Sequence, residues 1–148
     1  MPAAIRSATR ADADALVALG LQFLTAYQGG SSGGGEDPAR ARAVVESVLE
    51  HGVACVIDDR GAIIGMLGVL VGPHPITGLR TGFEVAWYID PQYRGRRQVL
   101  ELVTAAEQAA RARGAQQFQI GAPNAAVGHF LARLDYRPVE TTYVKALA

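Results

Sequence analysis

Helical spacing of apolar residues predicts two helices near the start of the chain. The first begins after Thr9 and Asp12, which have the spacing of a capping box. The second begins after Asp37, an N-cap residue that is followed by proline, and ends at Gly52. Because the apolar residues of each segment recur at intervals of three and four, each helix is expected to bury one face. These residues are Leu16, Leu19 and Phe23 in the first helix and Val44, Val45, Val48 and Leu49 in the second.

Short apolar runs bounded by glycine, proline and acidic residues predict the strands. Two of these runs are joined by the sequence Asp-Asp-Arg-Gly at residues 58–61, so we expect them to form an antiparallel hairpin. The predicted strands are residues 3–8, 53–57, 62–71, 82–90, 116–121 and 137–146.

The apolar period becomes helical again after Pro91. It predicts a helix that ends at Gly114, a C-terminal cap, and a short amphipathic helix over residues 127–134. Strands 82–90 and 116–121 are therefore joined through a helix and should be parallel, with a right-handed crossover. The element order β-α-α-β-β-β-α-β-α-β predicts an α/β fold in which helices cover a mixed sheet.

Composition places the chain among ordinary globular proteins. It has 148 residues, of which 49% are hydrophobic and 19% charged. This favours one domain over residues 1–148, built around one core. Residues 28–36, QGGSSGGGE, hold five of the 17 glycines and are expected to form a flexible loop.

Charge and cysteine content argue against several classes of partner. The 14 basic residues balance 14 acidic ones, so no broad basic field attracts nucleic acid. The longest apolar stretch, residues 62–72, is shorter than the roughly 20 residues of a membrane-spanning helix. His51, His74 and His129 are scattered, and we predict no metal site. Cys55 is expected to be a core residue, and without an export signal we expect a cytoplasmic protein.

The most informative segment is residues 87–103, WYIDPQYRGRRQVLELV. A strand ends there, a loop with arginines and a glycine follows, and a helix begins at once. Free backbone N–H groups and the positive end of a helix dipole therefore meet at one point, which suits a phosphate. Arg94, Arg96 and Arg97 add side chains that can form forked bonds to phosphate oxygens. The alternative from these residues alone is a solvated arginine cluster at a turn.

With its flanking elements, this segment resembles the GCN5-related N-acetyltransferase (GNAT) superfamily. The resemblance rests on D-P-x-Y-R-G at residues 90–95, between a strand and a helix, and on N-x-x-x-x-x-x-L from Asn124 to Leu131. It extends over essentially the whole chain, and within the superfamily the chain is most similar to small acetyltransferase-like proteins of bacterial and phage genomes. The resemblance implies the GNAT fold and the transfer of an acetyl group from acetyl-CoA to an amine by direct attack.

The resemblance also implies which residues hold acetyl-CoA. The pantetheine arm would lie between the splayed ends of strands 82–90 and 116–121, bonded to the backbone around Trp87 and Ile89. Asn124 would contact this arm or, alternatively, cap the helix that follows it. The pyrophosphate would lie at Arg94, Gly95, Arg96, Arg97, Gln98 and Val99. Arg97 and Val99 stand where the family usually has small residues, and we expect Arg97 to bond a phosphate oxygen.

Glu84 is the candidate catalytic base. An ammonium group with a pKa of about 10.4 must lose a proton before its nitrogen can attack, and a carboxylate on the central strand can accept that proton. The alternative is that Glu84 faces solvent or pairs with Arg80. The family commonly places a tyrosine, acting as general acid, where this chain has Leu131. His129 and Tyr143 are the substitutes we consider, each with a structural role as the alternative.

Two functional hypotheses follow from these residues. The first is an N-acyltransferase whose acceptor is a small-molecule or peptide amine, bounded by the first two helices and by residues 28–36 and 72–81. The second is a GNAT-fold binding or structural module with weak or no coenzyme A binding, which Arg97, Val99 and Leu131 favour. The resemblance is also compatible with a homodimer.

Overall fold

In the part of the chain that the structure describes, five strands pair in the order in which they occur. They are β1 (Ala4–Ser7), β2 (Val53–Asp59), β3 (Ala62–Pro73), β4 (Arg80–Ile89) and β5 (Gln117–Gln119). Neighbouring strands from β1 to β4 are antiparallel, whereas β4 and β5 are parallel. The computed structural model describes residues 3–28, 37–145 and 147. The α/β class and the mixed sheet with a parallel last pair, both predicted from the sequence, are confirmed.

Among the described residues, four α-helices accompany the sheet: α1 (Ala13–Gln28), α2 (Pro38–His51), α3 (Arg96–Ala112) and α4 (Ala125–Arg133). The predicted capping residues form hydrogen bonds at the starts of the first two helices. The Asp37 carboxylate accepts a hydrogen bond from the Arg40 N–H at 3.1 Å, and Asp12 accepts one from the Thr9 N–H at 2.7 Å, which opens a 3₁₀ turn before α1. Residues 29–36, nearly all of the flexible loop predicted from the sequence, lie outside the described residues.

Two apolar clusters hold the helices against opposite faces of the sheet. Leu16 and Leu19 of α1 pack with Val56 and Met66 on one face, together with residues of α2. The larger cluster joins α3 to the other face, and its fully buried members include Leu67, Val69, Leu102, Val103 and Ala106. Cys55 belongs to this second cluster, as predicted, and burial raises the pKa of its thiol, which makes the thiol unreactive.

The strand predicted over residues 137–146 is wrong for the described residues 137–145, which contain no strand. Alternating apolar residues stabilise a strand only where one of its faces is buried. Here Val139, Tyr143 and Val144 are 65%, 89% and 84% exposed. Pro138 also lacks an N–H for a strand ladder. The preceding strand, predicted over residues 116–121, is shorter in the structure, where β5 pairs with β4.

An ion-pair network ties the start of the chain to the β2–β3 turn. Both terminal nitrogens of Arg6 donate to the Asp12 carboxylate at 2.9 Å, and Arg6 Nε donates to Asp58 Oδ2 at 3.0 Å. Asp12 is buried, with 7% exposure. The hydrogen bonds from Arg6 are the main cause that holds the pKa of Asp12 at about 2. The folded state therefore binds this proton more weakly than the unfolded chain does.

We expect this network to make stability depend on acid pH. Because the pKa of Asp12 is lower in the folded state than its ordinary value of 3.8, its contribution is present above about pH 4 and is lost as the pH falls toward 2. The contribution is about 1–2 kcal/mol, reduced from the full pKa difference because Arg6 is partly exposed. Urea unfolding of the parent and of Asp12→Asn at pH 7 and pH 3 measures it. Asp14→Asn, which removes an exposed ion pair with Arg42, should change little. Equal pH dependence in the parent and Asp12→Asn would contradict this account.

Candidate active site at the fork between β4 and β5

The sheet opens between its two parallel strands. Pairing of β4 with β5 ends at Phe83 and Gln119, although β4 continues to Ile89. On its other side, β4 has a bulge, because Val69 of β3 pairs with Glu84 and Gly68 pairs with Ala86. Bulges bend a strand and increase its twist, so this one helps to separate β4 from β5. We call the gap between residues 84–89 and residues 120–124 the fork.

Glu84 lies where the fork begins. Its Oε1 accepts a hydrogen bond from the Gly121 N–H at 3.0 Å, across the gap. Burial raises the pKa of the Glu84 carboxyl, and the Gly121 N–H partly offsets that rise. Arg80, the alternative partner, donates instead to the Arg113 carbonyl at 2.9 Å. Glu84 is therefore a half-buried carboxylate without an ion-pair partner among the described residues, and it has the raised pKa that suits proton transfer.

Trp87 also reaches across the fork, a feature that the sequence reasoning missed. Its Nε1–H donates to the Gly121 carbonyl at 3.1 Å, and its ring packs against the α3 side of the core. The sequence reasoning considered only the backbone at Trp87. A tryptophan on a strand that borders a cleft was the available signal, because a buried indole usually finds an acceptor. Ile89, the other backbone position predicted to hold the arm, has a buried side chain.

The start of α3 is compatible with an approaching anion. Gly95 is the N-cap with an extended φ of −149°, and it supplies no side-chain cap to the first turn. Arg97, Gln98 and Val99 lie within α3, and none has a positive φ. The arginine and the valine that replace small family residues therefore cause no backbone strain. The N–H of Val99 donates to the Gly95 carbonyl at 3.1 Å. Its side chain packs against the core and therefore does not hinder an anion that approaches the start of α3.

The arginines around Gly95 have different surroundings. Arg94 folds back on β4, where its Nε donates to the Ile89 carbonyl at 2.8 Å and its guanidinium carbon lies 5.3 Å from the centre of the Tyr88 ring. Arg97 is 91% exposed, and its Nε donates to Glu101 at 2.9 Å. The side chain of Arg96 lies outside the described part of the chain. Arg94 is thus anchored on β4, but both Arg94 and Arg97 are exposed, so the solvated cluster stays open as the alternative.

The helix after the fork carries no hydroxyl at residue 131, where the resemblance places a general acid. Leu131 is buried in the core with 5% exposure. His129, one substitute considered from the sequence, is exposed on α4, and Tyr143, the other, is 89% exposed after it. Asn124 caps α4, since its Oδ1 accepts a hydrogen bond from the Val127 N–H at 3.0 Å. The capping role left open by the sequence is therefore present.

Two concavities lie away from the fork. One, of about 390 Å³, is lined by residues at the start of α1 and on α2, among them Asp14 and Arg42, and the other, of about 590 Å³, is lined by residues of β1 and α3. Within residues 3–28, 37–145 and 147, no three potential metal ligands cluster. No helix in the same part of the chain is long and apolar enough to cross a bilayer.

The opening of the mixed sheet beyond Phe83, the half-buried Glu84 and the first turn of the crossover helix α3 make up the candidate site. The model of the acetyltransferase (GNAT) family matches residues 24–136. The chain belongs to the GNAT acetyltransferase family, as the sequence resemblance implied.

Solved structures share the fold at low sequence identity. A predicted acetyltransferase from Clostridium acetobutylicum, with acetyl-CoA, is 16% identical over 98% of this chain and 96% of its own, with a TM-score of 0.80. AAC(6')-Iy, in complex with a bisubstrate analogue, is 15% identical over 100% and 99%, with a TM-score of 0.76. Ribosomal-protein-alanine N-acetyltransferase from Brucella melitensis biovar Abortus 2308 is 19% identical over 99% and 100%, with a TM-score of 0.69. A search of the curated proteins finds no match.

Proposed function

We propose that the protein transfers an acetyl group from acetyl-CoA to the amine of a small molecule or peptide by direct attack. The observation that carries the proposal is the half-buried Glu84 at the opening of the fork, with a raised pKa and a hydrogen bond to Gly121. Acetyl-CoA supplies an acyl group activated as a thioester. The chain's own residues bind the two reactants, remove a proton from the amine and stabilise negative charge on the carbonyl oxygen.

The residues of the fork fit an extended donor with an anionic end. Residues 84–89 of β4 extend beyond the pairing with β5, so their backbone is available to a pantetheine arm. The first turn of α3 presents N–H groups and a positive dipole end without a side-chain cap. Arg97 bonds Glu101 through Nε, so its terminal nitrogens remain for a phosphate oxygen. Asn124 caps α4 through Oδ1, and this leaves its Nδ2 to donate to the pantetheine arm.

Proton transfer to Glu84 begins the reaction. An ammonium group bound at the fork loses a proton to the carboxylate, directly or through water, and the neutral nitrogen then attacks the thioester carbonyl carbon. A C–N bond forms and the C–S bond breaks, with the bonding pair leaving on sulfur. The nitrogen, positively charged after the attack, loses a second proton as the amide forms, and the thiolate takes up a proton to become the thiol. A thiol has a pKa of about 8.5, so the thiolate can leave near neutral pH without a general acid. Leu131 in the acid position therefore slows this route without preventing it.

Backbone N–H groups near the β4 bulge are suited to stabilise the carbonyl oxygen as it gains negative charge. Val85 is skipped in the pairing between β3 and β4, and β5 does not reach this part of β4. Donors that are already fixed in place lower the barrier because they need no reorganisation during the reaction. The bulge is thus proposed to contribute both to the opening of the fork and to its chemistry.

Coenzyme A binding followed by an acceptor screen tests the proposed function. We expect acetyl-CoA at 100 times its Kd to stabilise the fold by about 2.7 kcal/mol, and thiol release to depend on an added amine. Arg97→Ala should weaken this binding, whereas Arg111→Ala, at the other end of α3, should not. Stabilisation without thiol release on any amine would favour the binding module, which the buried Leu131 supports. No stabilisation at millimolar acetyl-CoA would contradict the proposal.

A further inference from the structure

Two side chains cross the fork and end on the same residue. The Gly121 N–H donates to Glu84, and the Gly121 carbonyl accepts from Trp87 Nε1. These two bonds hold the peptide groups on either side of one Cα atom. Gly121 follows β5 in a segment without regular secondary structure and is itself exposed, so these contacts fix its position.

The side chain of Trp87 is held by the core. Its indole packs against the α3-side core, where Val99, Phe130 and Leu134 also lie. A planar ring held in this way directs its N–H toward one point. Gly121 also lies close to the Glu84 carboxylate, because a Cβ at Gly121 would lie 3.3 Å from Glu84 Oε1. The distance between Gly121 and the Glu84 carboxylate therefore depends on where Trp87 holds the Gly121 carbonyl.

We propose that Trp87 is a positioning residue which, by holding Gly121 across the fork, keeps the Gly121 N–H on Glu84 Oε1 and leaves Oε2 to receive the proton of the amine. The role of Glu84 as the base rests on the proposed function, whereas the positioning of Gly121 does not. The bond to one oxygen also orients the carboxylate, which is what a base at the opening of the fork requires.

The charge on Glu84 depends on this bond. Burial raises the pKa of the carboxyl, and the Gly121 N–H is the group that lowers it. In register with Glu84, β3 presents Val69, and the segment after β5 presents Ile120 and Gly121. No charged side chain in the described part of the chain adds to these two causes. Loss of the Trp87 contact should therefore raise the pKa of Glu84.

A titration of the protein without any donor tests the positioning directly. The carboxyl carbon of Glu84, labelled with ¹³C, is followed by NMR in the parent and in Trp87→Phe, which keeps an aromatic ring but lacks the N–H. We expect a higher Glu84 pKa in Trp87→Phe. Tyr136→Phe is the matched control and should keep the parent pKa of Glu84. It also removes a hydrogen bond at the edge of the same core, the one of 2.5 Å from the Tyr136 hydroxyl to Glu107.

An unchanged Glu84 pKa in Trp87→Phe would overturn the proposal, whatever the protein's activity. If Trp87→Phe does not fold, Gly121→Ala perturbs the same contact from the other side, since its Cβ presses on Glu84 Oε1. It should raise the pKa of Glu84 as well. A parent-like Glu84 pKa in that variant would likewise overturn the positioning role.

Kinetics separate this proposal from the proposed function. Trp87→Phe should lower kcat/KM at pH 7 by about tenfold and shift the rise of kcat/KM to higher pH. This is the effect expected when the charged Glu84 carboxylate loses its hydrogen bond from the Gly121 N–H. In a Glu84→Gln background the same substitution should change little, because the two residues act as one unit. Equal losses in both backgrounds would overturn the positioning role. Parent-like turnover by Glu84→Gln would instead contradict the proposed base and leave the titration result standing.

Discussion

Replacing Glu84 by glutamine is expected to lower kcat by about 10²–10⁴-fold, the usual contribution of a general base. Glutamine has the size of glutamate and can still accept the Gly121 N–H, but it cannot take a proton from the amine. The affinity for coenzyme A should stay the same, because the carboxylate is at the opening of the fork and the anionic end of the donor is proposed to bind at the start of α3. Thiol release under steady-state conditions measures kcat, and calorimetry measures the Kd for coenzyme A.

The pH dependence of the parent supplies a second readout of the same base. Because burial raises the pKa of Glu84, kcat/KM should rise at a higher pH than an ordinary carboxylic acid would give. This rise should be absent in Glu84→Gln. Glu46→Gln, on the exposed surface of α2, is the matched control and should keep the parent kcat and the parent pH profile. A parent-like kcat in Glu84→Gln, or the same loss in Glu46→Gln, would be incompatible with Glu84 as the base.

Most of the fold could be predicted because local signals and burial agree. The cap at Asp37, the apolar face of α1 and the alternation of β2 and β3 each point to one structure. Residues 137–145 show the limit of this reasoning. Their alternation is typical of a strand, but strand formation needs a partner and a buried face, and neither is encoded in the segment itself.

The candidate site could be predicted by residue type and only partly by geometry. Glu84 and the start of α3 carry recognisable chemistry, so sequence patterns point to them. The contact between Trp87 and Gly121 joins residues 34 positions apart across a gap; Trp87 was predicted to act only through its backbone, and Gly121 belongs to no motif. The bulge at Val85 is equally invisible in the sequence, because it arises from the register between β3 and β4. What could not be predicted from the sequence is thus how residues far apart in the chain are aligned across the sheet.

Gly52→Ala is expected to destabilise the fold by about 3 kcal/mol, although it adds only one methyl group. Gly52 joins α2 to β2 with an extended φ of −121°, so its own backbone would accept a side chain. The obstacle is the close approach of β3, since a Cβ at Gly52 would lie 2.1 Å from the Val69 carbonyl oxygen. This oxygen belongs to the backbone of a central strand and cannot rotate away. The free energy of unfolding in urea measures the cost.

Gly20→Ala is the matched control and should have the opposite sign. Gly20 lies inside α1, and apart from the adjacent helix backbone no atom of the described residues would lie within 4 Å of an added Cβ, so alanine should stabilise the helix by about 0.5–1 kcal/mol. Parent-like stability in Gly52→Ala would contradict the close approach of α2 to β3. The effect of Gly52→Ala should also reach the fork, because Val69 pairs with Glu84 beside the bulge. The folded fraction of Gly52→Ala should therefore have a lower kcat/KM than the parent, whereas Gly20→Ala should keep the parent value.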